Sequence, residues 1–299
     1  MSAAAEWQEL HFTARKDQVE PLEDWLFARG ALSVTLEDEA DQPLLEPGPG
    51  ETPLWEAVRL TALFAGAENL TPLLGEIPSE LYTQAPNVAV PVADREWTRV
   101  WEDQFHPMQM GERLWICPSW TPPPDPDAIN ILLDPGLAFG TGTHPTTAMC
   151  LRALDADFPP GKRFVDYGCG SGILGIAAAR LSAAAVLGVD NDPQAITASR
   201  DNARRNDIPD NTFPVVLPQD DLVATWQASA NWVVANILAG PLVALAPVLT
   251  SLMVPGGRLL LAGLLTEQAE AIMEAYAPEV ALSIVDQQGE WVLLAGDKH

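Results

Sequence analysis

The segment FVDYGCGSGILGIAAARL, at positions 164–181, constrains the fold of this chain more than any other part of the sequence. An apolar strand end is followed by glycines at every second position, Gly168, Gly170 and Gly172, and then by an alanine-rich helix. Glycine permits a tight turn and lets a ligand approach bare backbone. The start of a helix also offers free N–H groups and the positive end of its dipole. The segment therefore predicts a strand–loop–helix unit that binds a ligand at its loop.

Alternating strands and helices around this loop predict an α/β fold. The predicted strands lie at 162–167, 184–190, 213–217, 231–236 and 257–263, with helices between them that include 172–182, 193–205 and 220–230. Strict alternation is typical of a parallel sheet with helices on both faces. Two further strands, 279–286 and 290–295, predict a terminal hairpin that adds an antiparallel strand at the side of this sheet.

The first ninety or so residues predict a separate, smaller α/β unit. Its expected elements are strands near 6–13, 32–36, 58–64 and 81–92, and helices after Asp17 and over 68–76. Their β-α-β-β-α-β order is typical of a ferredoxin-like sandwich.

A polar segment joins the two predicted units. Trp97 and Trp101 recur in it at helical spacing, which predicts a linking helix with one apolar face. The predicted organisation is therefore a domain over 1–92, a linking helix over 93–106 and a second domain over 107–299. A chain of 299 residues is also of the length expected for two domains.

Two aspartates near the glycine loop bear on the class of ligand. Asp190 ends the next strand, about 20 residues after the glycines, where a carboxylate suits the two hydroxyls of a ribose. Gly170, Gly172 and Gly175 also satisfy the dinucleotide pattern G-x-G-x-x-G, so a nicotinamide-dependent oxidoreductase remains an alternative. Asp166, however, directly precedes the loop, where a carboxylate would repel pyrophosphate. It would suit a ligand with an ammonium group and no phosphate, such as a methionine moiety.

The charge of the chain bears on its partners. It carries 41 acidic and 16 basic residues, for a formal net charge of -25. Phosphate backbones attract Lys and Arg, so direct binding to nucleic acid is not expected. A basic protein partner is favoured because opposite charges steer encounter, although solubility or adaptation to salt explains the charge equally well.

Cysteine usage and hydropathy predict a cytoplasmic protein. The three cysteines are too few and too scattered for a disulfide framework, which fits a reducing compartment. The first ten residues lack the basic and apolar regions of a signal peptide. The most apolar stretch, 232–249, is broken by Asn, Gly and Pro and is too short to span a membrane. His106 and His144 lack the spacing of metal ligands, so no metal site is predicted.

Two long segments identify a family. LDPGLAFGTGTHPTT at 133–147 and VVANILAGPL at 233–242, together with DYGCGSG and the acidic end of VLGVD, resemble the ribosomal protein L11 methyltransferase family. FHPM at 105–108 and GERLWICPSW at 111–120 resemble it as well. The resemblance covers nearly the whole chain and is weaker over the first forty residues.

The resemblance implies both a fold and an activity. It implies a class I methyltransferase domain, with a Rossmann-like seven-stranded sheet, behind a small substrate-recognition domain over 1–92. It implies the cofactor S-adenosyl-L-methionine and methyl transfer to lysine ε-amines and the N-terminal α-amine of L11, a basic protein of the large ribosomal subunit. Matching the motifs position by position implies four cofactor-binding residues: Thr147, Gly168, Asp190 and Asn236. The sequence of the glycine loop predicts two further cofactor-binding residues, Asp166 and Gly170.

Asn236 is also the candidate catalytic residue. Methyl transfer from a sulfonium requires a neutral amine, whereas a lysine amine, with a pKa of about 10.4, is mostly protonated at neutral pH. Positioning and desolvation are therefore expected to supply most of the rate. The Asn236 amide oxygen can accept an amine N–H without trapping a proton. The alternative, a contact with the cofactor, remains open. Thr147 is expected to contact the methionine end of the cofactor, with an ordinary helix N-cap as the alternative.

Overall fold

The computed structural model describes residues 7–39, 55–65, 70–84, 90–92, 105–134 and 142–299. The chain divides into two compact units, Met1–Val100 and Trp101–His299. The predicted domains 1–92 and 107–299 fall within these units, and their boundaries stay predictions. Nearly all of the predicted linking helix, including Trp97 and Trp101, lies outside the described residues.

The first unit is a four-stranded antiparallel sheet with helices. Its elements are β1 (Trp7–Arg15), α1 (Lys16–Phe27), β2 (Ser33–Asp38), β3 (Ala57–Ala65), α2 (Thr71–Glu76) and β4 (Val90–Val92). The strand order β2-β3-β1-β4 confirms the predicted ferredoxin-like arrangement. Leu10 and Phe12 of β1 and Leu60 of β3 are buried with Leu22 and Leu26 of α1. This period-2 face of the sheet and the apolar stripe of α1 form the core of the unit.

The second unit contains the predicted seven-stranded sheet. Its strands are β8 (Arg163–Tyr167), β9 (Ala185–Val189), β10 (Val215–Val216), β11 (Ala230–Asn236), β12 (Met253–Leu265), β13 (Ser283–Gln288) and β14 (Trp291–Asp297). They are ordered β10-β9-β8-β11-β12-β14-β13, and all are parallel except β14, which runs antiparallel to both of its neighbours. This is the class I methyltransferase order, and it confirms the predicted fold. An all-parallel dinucleotide-binding sheet has no such inserted strand.

Helices cover both faces of this sheet. They are α3 (Pro145–Asp157), α4 (Ile173–Arg180), α5 (Pro193–Arg205), α6 (Asp221–Ala224), α7 (Ala239–Ala244), α8 (Ala246–Leu252) and α9 (Ala269–Tyr276). One core lies between the sheet and α3, α4 and α5, and a second core lies under α7, α8 and α9. The central strands are buried on both sides, which explains their almost continuous apolar sequence. Within the described ranges, no helix is long and apolar enough to cross a membrane.

A second, three-stranded sheet in this unit was not predicted. It consists of β5 (Met108–Met110), β6 (Leu114–Cys117) and β7 (Ile129–Leu132). Asp155 of α3 fixes the turn between β5 and β6, because its buried carboxylate accepts hydrogen bonds from the N–H groups of Glu112 (2.6 Å) and Arg113 (3.1 Å). The small sheet is thereby tied to the helix that begins at the candidate site.

The strand order also determines where a ligand can bind. The chain passes from β8 to β9 on one side, while β11 pairs with β8 on the other side. Such a reversal opens a crevice at the carboxyl ends of the strands. The glycine loop after β8, Asp190 after β9 and Asn236 at the end of β11 all lie at this edge.

Candidate active site

The glycine loop has the backbone conformation that its sequence predicts. Gly168, Gly170 and Gly172 have φ values of +78°, +54° and +79°, in the left-handed region that favours glycine. A Cβ atom at position 168 would collide with the side chain of Ile237, which lies in the loop after β11. Cys169 is buried within the loop, and burial raises the pKa of its thiol, which disfavours a nucleophilic thiolate.

Asp190 joins the glycine loop to the end of β9. Its Oδ2 atom accepts a hydrogen bond from Gly170 N (2.8 Å), and its Oδ1 atom accepts one from Asp192 N (3.0 Å). The residue is 9% exposed, so its carboxylate borders the crevice. Each carboxylate oxygen can accept a second hydrogen bond. The geometry therefore leaves acceptor capacity for a pair of hydroxyl groups.

Asp166 lies beneath the loop and caps the helix that follows it. The residue is 1% exposed, and its Oδ2 atom accepts a hydrogen bond from Gly175 N (2.9 Å) in the first turn of α4. Gly172, the residue at the N-cap position of α4, has no side chain with which to cap the helix, so Asp166 satisfies one of the free N–H groups instead. Burial raises the pKa of the Asp166 carboxyl to about 7. The sequence predicts a carboxylate beside the loop, but the capping role of Asp166 is seen only in the structure.

Asn236 and Thr147 meet across the crevice. Asn236 Nδ2 donates to Thr147 Oγ1 over 3.1 Å, which connects the end of β11 to the first turn of α3. Thr147 is fully buried, and its hydroxyl hydrogen can still be donated to another group. The two residues are 89 positions apart in sequence, so only the fold brings them together.

The N-cap of α3 is His144 rather than a threonine. Thr146 N donates to His144 Nδ1 over 3.4 Å, and the same nitrogen lies 2.7 Å from Thr146 Oγ1. Burial lowers the pKa of His144, which favours the neutral ring that this acceptor role requires. The ring also packs edge-on against Trp291, with centroids 4.8 Å apart. The alternative that Thr147 serves as an ordinary N-cap is therefore wrong.

Two buried oxygens at this site have no hydrogen-bond partner within the described part of the chain. They are Asp166 Oδ1 and Asn236 Oδ1. Asp166 pairs in register with Val234, so the side chain of Asn236, two residues further along β11, points to the same face of the sheet. A buried acceptor without a partner costs about 1–3 kcal/mol. Both oxygens therefore fit a ligand that donates hydrogen bonds, and an ammonium group is such a donor.

The same residues do not form a metal site. In the described ranges, no group of three or more His, Cys, Asp or Glu side chains is arranged to hold a metal ion. The polar groups at the crevice are instead a carboxylate at the edge, a buried carboxyl, an amide and a hydroxyl. These groups suit an organic ligand with hydroxyl and ammonium groups.

Comparisons with known proteins identify the family. The family model described as ribosomal protein L11 methyltransferase (PrmA) matches residues 6–299. The chain belongs to this family. It is 50% identical over 295 residues to the ribosomal protein L11 methyltransferase of Marinobacter nauticus, covering 97% of this chain and 98% of that protein. It is 49% identical over 294 residues to the one of Pseudomonas paraeruginosa, covering 98% and 99%.

A solved structure agrees with this assignment. The ribosomal protein L11 methylase of Lactobacillus delbrueckii subsp. bulgaricus aligns with a TM-score of 0.57 and 33% identity, over 65% of this chain and all of that chain. The predicted membership of the L11 methyltransferase family is confirmed, and with it an enzyme that depends on S-adenosylmethionine. The oxidoreductase alternative finds no support in either the strand order or the comparisons.

Proposed function

We propose that this chain transfers methyl groups from S-adenosylmethionine to lysine ε-amines and the N-terminal α-amine of ribosomal protein L11. The observation that carries the proposal is the pair of buried, unpartnered acceptor oxygens of Asp166 and Asn236 on one face of the sheet. One acceptor suits the ammonium group of a methionine moiety, and the other suits an amine that awaits a methyl group. The near-50% identity to proteins named for this activity supports the same function.

Each of the cofactor-binding residues would contact a different part of the cofactor. The Asp190 carboxylate accepts the ribose hydroxyls, while the positive-φ glycines at 168 and 170 allow close approach to the loop backbone. The Asp166 carboxyl receives the ammonium group, and the Thr147 hydroxyl donates toward the methionine carboxylate. When bound, the cofactor supplies a methyl group already activated by its sulfonium.

Asn236 would hold the acceptor amine. Its Nδ2 atom is engaged by Thr147 Oγ1, which fixes the amide plane and leaves Oδ1 as the acceptor. A neutral oxygen can orient an amine N–H without stabilising the protonated ammonium form. The buried surroundings also disfavour that charged form, so the amine proton is released to water before transfer. Orientation and desolvation then supply most of the rate.

The partner and the location follow from the same proposal. L11 is a basic protein, and the net charge of -25 on this chain favours encounter with such a partner over direct contact with nucleic acid. A ribosomal substrate and three scattered cysteines support action in the cytoplasm. The first domain, residues 1–92, is proposed to recognise the substrate, and residues 93–106 to link it to the methyltransferase domain, residues 107–299.

Mass spectrometry of purified ribosomal proteins incubated with the enzyme and labelled S-adenosylmethionine tests the proposal. We expect L11 to gain mass in steps of one methylene per transfer. Asn236→Ala should lower kcat by on the order of 100-fold, the scale of losing one group that orients the transition state.

Asn231→Ala is the matched control, since Asn231 lies on the same strand at its other end and accepts a hydrogen bond from Arg163 N. It should keep normal activity. If L11 remained unlabelled while another ribosomal protein took up the label, the proposed substrate would be wrong. Equal activity of Asn236→Ala and Asn231→Ala would remove the role given to Asn236.

A further inference from the structure

The buried face of α5 carries three polar side chains. Ser199 and Asn202 stand at positions i and i+3 of the helix, and Asn206, its C-cap residue, follows on the same side at i+7. They are 0%, 8% and 4% exposed. We call these three residues the α5 polar row. Buried polar groups are costly unless they are hydrogen-bonded, so the partners of this row indicate why it is polar.

Two members of the row donate hydrogen bonds to the backbone of the glycine loop. Ser199 Oγ donates to the carbonyl oxygen of Gly170 (2.8 Å), and Asn202 Nδ2 donates to that of Ser171 (2.9 Å). On its other side, Gly170 N donates to Asp190. Two consecutive carbonyl groups of the loop are therefore turned toward α5, and the loop is held between α5 and Asp190.

The third member anchors α5 to a strand. Asn206 Oδ1 accepts from Leu132 N (2.8 Å), and Asn206 Nδ2 donates both to Leu132 O (2.8 Å) and to Asn202 O (2.9 Å). This pairing copies the hydrogen bonds that a neighbouring β-strand would make with the end of β7. The α5 polar row therefore connects the glycine loop to the end of β7.

We propose that Ser199 and Asn202 are positioning residues for the cofactor, which hold the Gly170 and Ser171 carbonyls on the α5 side and so keep these oxygens out of the cofactor crevice. A carbonyl oxygen turned into the crevice would repel the methionine carboxylate. Without the two donors, the peptide groups of the loop are free to rotate. Cofactor binding would then have to order them, which weakens the affinity. The inference rests on the proposed cofactor site at this loop.

Calorimetric titration of the full-length chain with S-adenosylmethionine and with its demethylated product tests this role. We expect Ser199→Ala and Asn202→Ala each to raise the Kd of both ligands by roughly two- to tenfold, the range for one neutral hydrogen bond. In steady-state assays the KM for S-adenosylmethionine should rise in parallel, while kcat at saturating cofactor and the KM for L11 stay near the wild-type values. Ser199→Cys, measured under reducing conditions because Cys169 Sγ lies 3.4 Å from Ser199 Oγ, keeps a weaker donor and should be intermediate. Asn202→Ala serves as the second variant if Ser199→Ala does not fold.

Thr250→Ala is the matched control, since Thr250 is buried and its hydroxyl donates to a helix carbonyl, Ala246 O, in α8. It should lower Tm as Ser199→Ala does, yet leave both Kd values unchanged. If the loop-binding variants lost only Tm, as this control does, Ser199 and Asn202 would be merely structural. Asp190→Ala separates the two proposals: if it too left the Kd unchanged, the cofactor site itself would be wrong, whereas a weaker Kd in Asp190→Ala alone would overturn only the role of the row.

Discussion

Asp166 and Asp190 lie at the carboxyl ends of neighbouring strands, yet their carboxyl groups have different surroundings. Asp190 accepts two backbone N–H groups at the border of the crevice, whereas Asp166 is buried, with one N–H partner and one unpartnered oxygen. From the sequence alone, Asp166 is a fixed negative charge that repels phosphate and suits an ammonium group. Because burial raises its pKa to about 7, the charge on Asp166 at neutral pH depends on what lies beside it.

This pKa predicts a pH-dependent stability for the enzyme without cofactor. The folded protein keeps the Asp166 proton up to about pH 7, whereas the unfolded chain loses it near the ordinary pKa of 3.8. The folded state thus binds more protons between these values, and the free energy of unfolding falls as pH rises through the window. In Asp166→Asn this fall should be absent. Denaturant unfolding at a series of pH values measures the difference.

The same group should make cofactor binding pH-dependent in the opposite sense. An ammonium ligand is held best by the ionised carboxylate, so the affinity of the wild-type enzyme should rise as pH increases through about 7. Asp166→Asn should bind more weakly and lack this rise. It also acts as the control, because any pH dependence that it retains belongs to the cofactor's own amino group. Parallel profiles for the two proteins would contradict an ammonium contact at Asp166.

At the scale of elements, the sequence predicted a helix most accurately where the residues that mark its start were all present. The helix predicted over 193–205 is observed at Pro193–Arg205. Asp192 caps it by accepting from Gln194 N (2.8 Å), and proline stands at its first position. Such start signals lie within a few residues of the element they define, so a single sequence contains them.

Elements that depend on distant contacts were missed or misjudged. The strands β5, β6 and β7 have three or four residues each, too few for a hydrophobic period, and they are stabilised by Asp155 of α3. The helix predicted over 220–230 ends after one turn, and the chain turns at Ala228 with a φ of +49°. In the site, the motifs predicted which residues take part. The Asn236–Thr147 hydrogen bond and the contacts of the α5 polar row join residues that are far apart in sequence, so they are seen only in the folded structure.

Gly175 offers a test of packing against helix propensity. Alanine is favoured over glycine within a helix by about 1 kcal/mol. A Cβ atom at position 175, however, would collide with the buried ring of Phe213, and overpacking costs about 1–3 kcal/mol. Packing should therefore dominate, and Gly175→Ala should lower the free energy of unfolding in urea.

Gly75 provides the matched control. It lies within α2, with nothing within 4 Å of an added Cβ atom. Gly75→Ala should therefore raise the free energy of unfolding by about 0.5–1 kcal/mol. If both variants were stabilised, α4 would not pack against Phe213 as tightly as the structure has it.

At the scale of the whole molecule, each of the two units has a hydrophobic core of its own. Among the described residues, the buried core of the first unit consists of residues from Leu10 to Ile77, and the buried cores of the second unit consist of residues from Met110 onward. The residues assigned to the cofactor all belong to the second unit. Truncation can therefore test whether the first domain has the substrate-recognition role proposed for it.

Deletion of residues 1–92 should spare cofactor binding and abolish methylation of L11. The remaining chain keeps both cores of the seven-stranded sheet together with Asp166, Asp190 and Asn236, so its Kd for S-adenosylmethionine should match that of the full-length enzyme. Calorimetry and thermal unfolding provide the control for folding, and mass spectrometry of L11 reports the activity. A truncated enzyme that binds the cofactor normally and still methylates L11 at the full rate would mean that the first domain has no part in substrate recognition. In that case the surface of the methyltransferase unit alone would have to recognise L11.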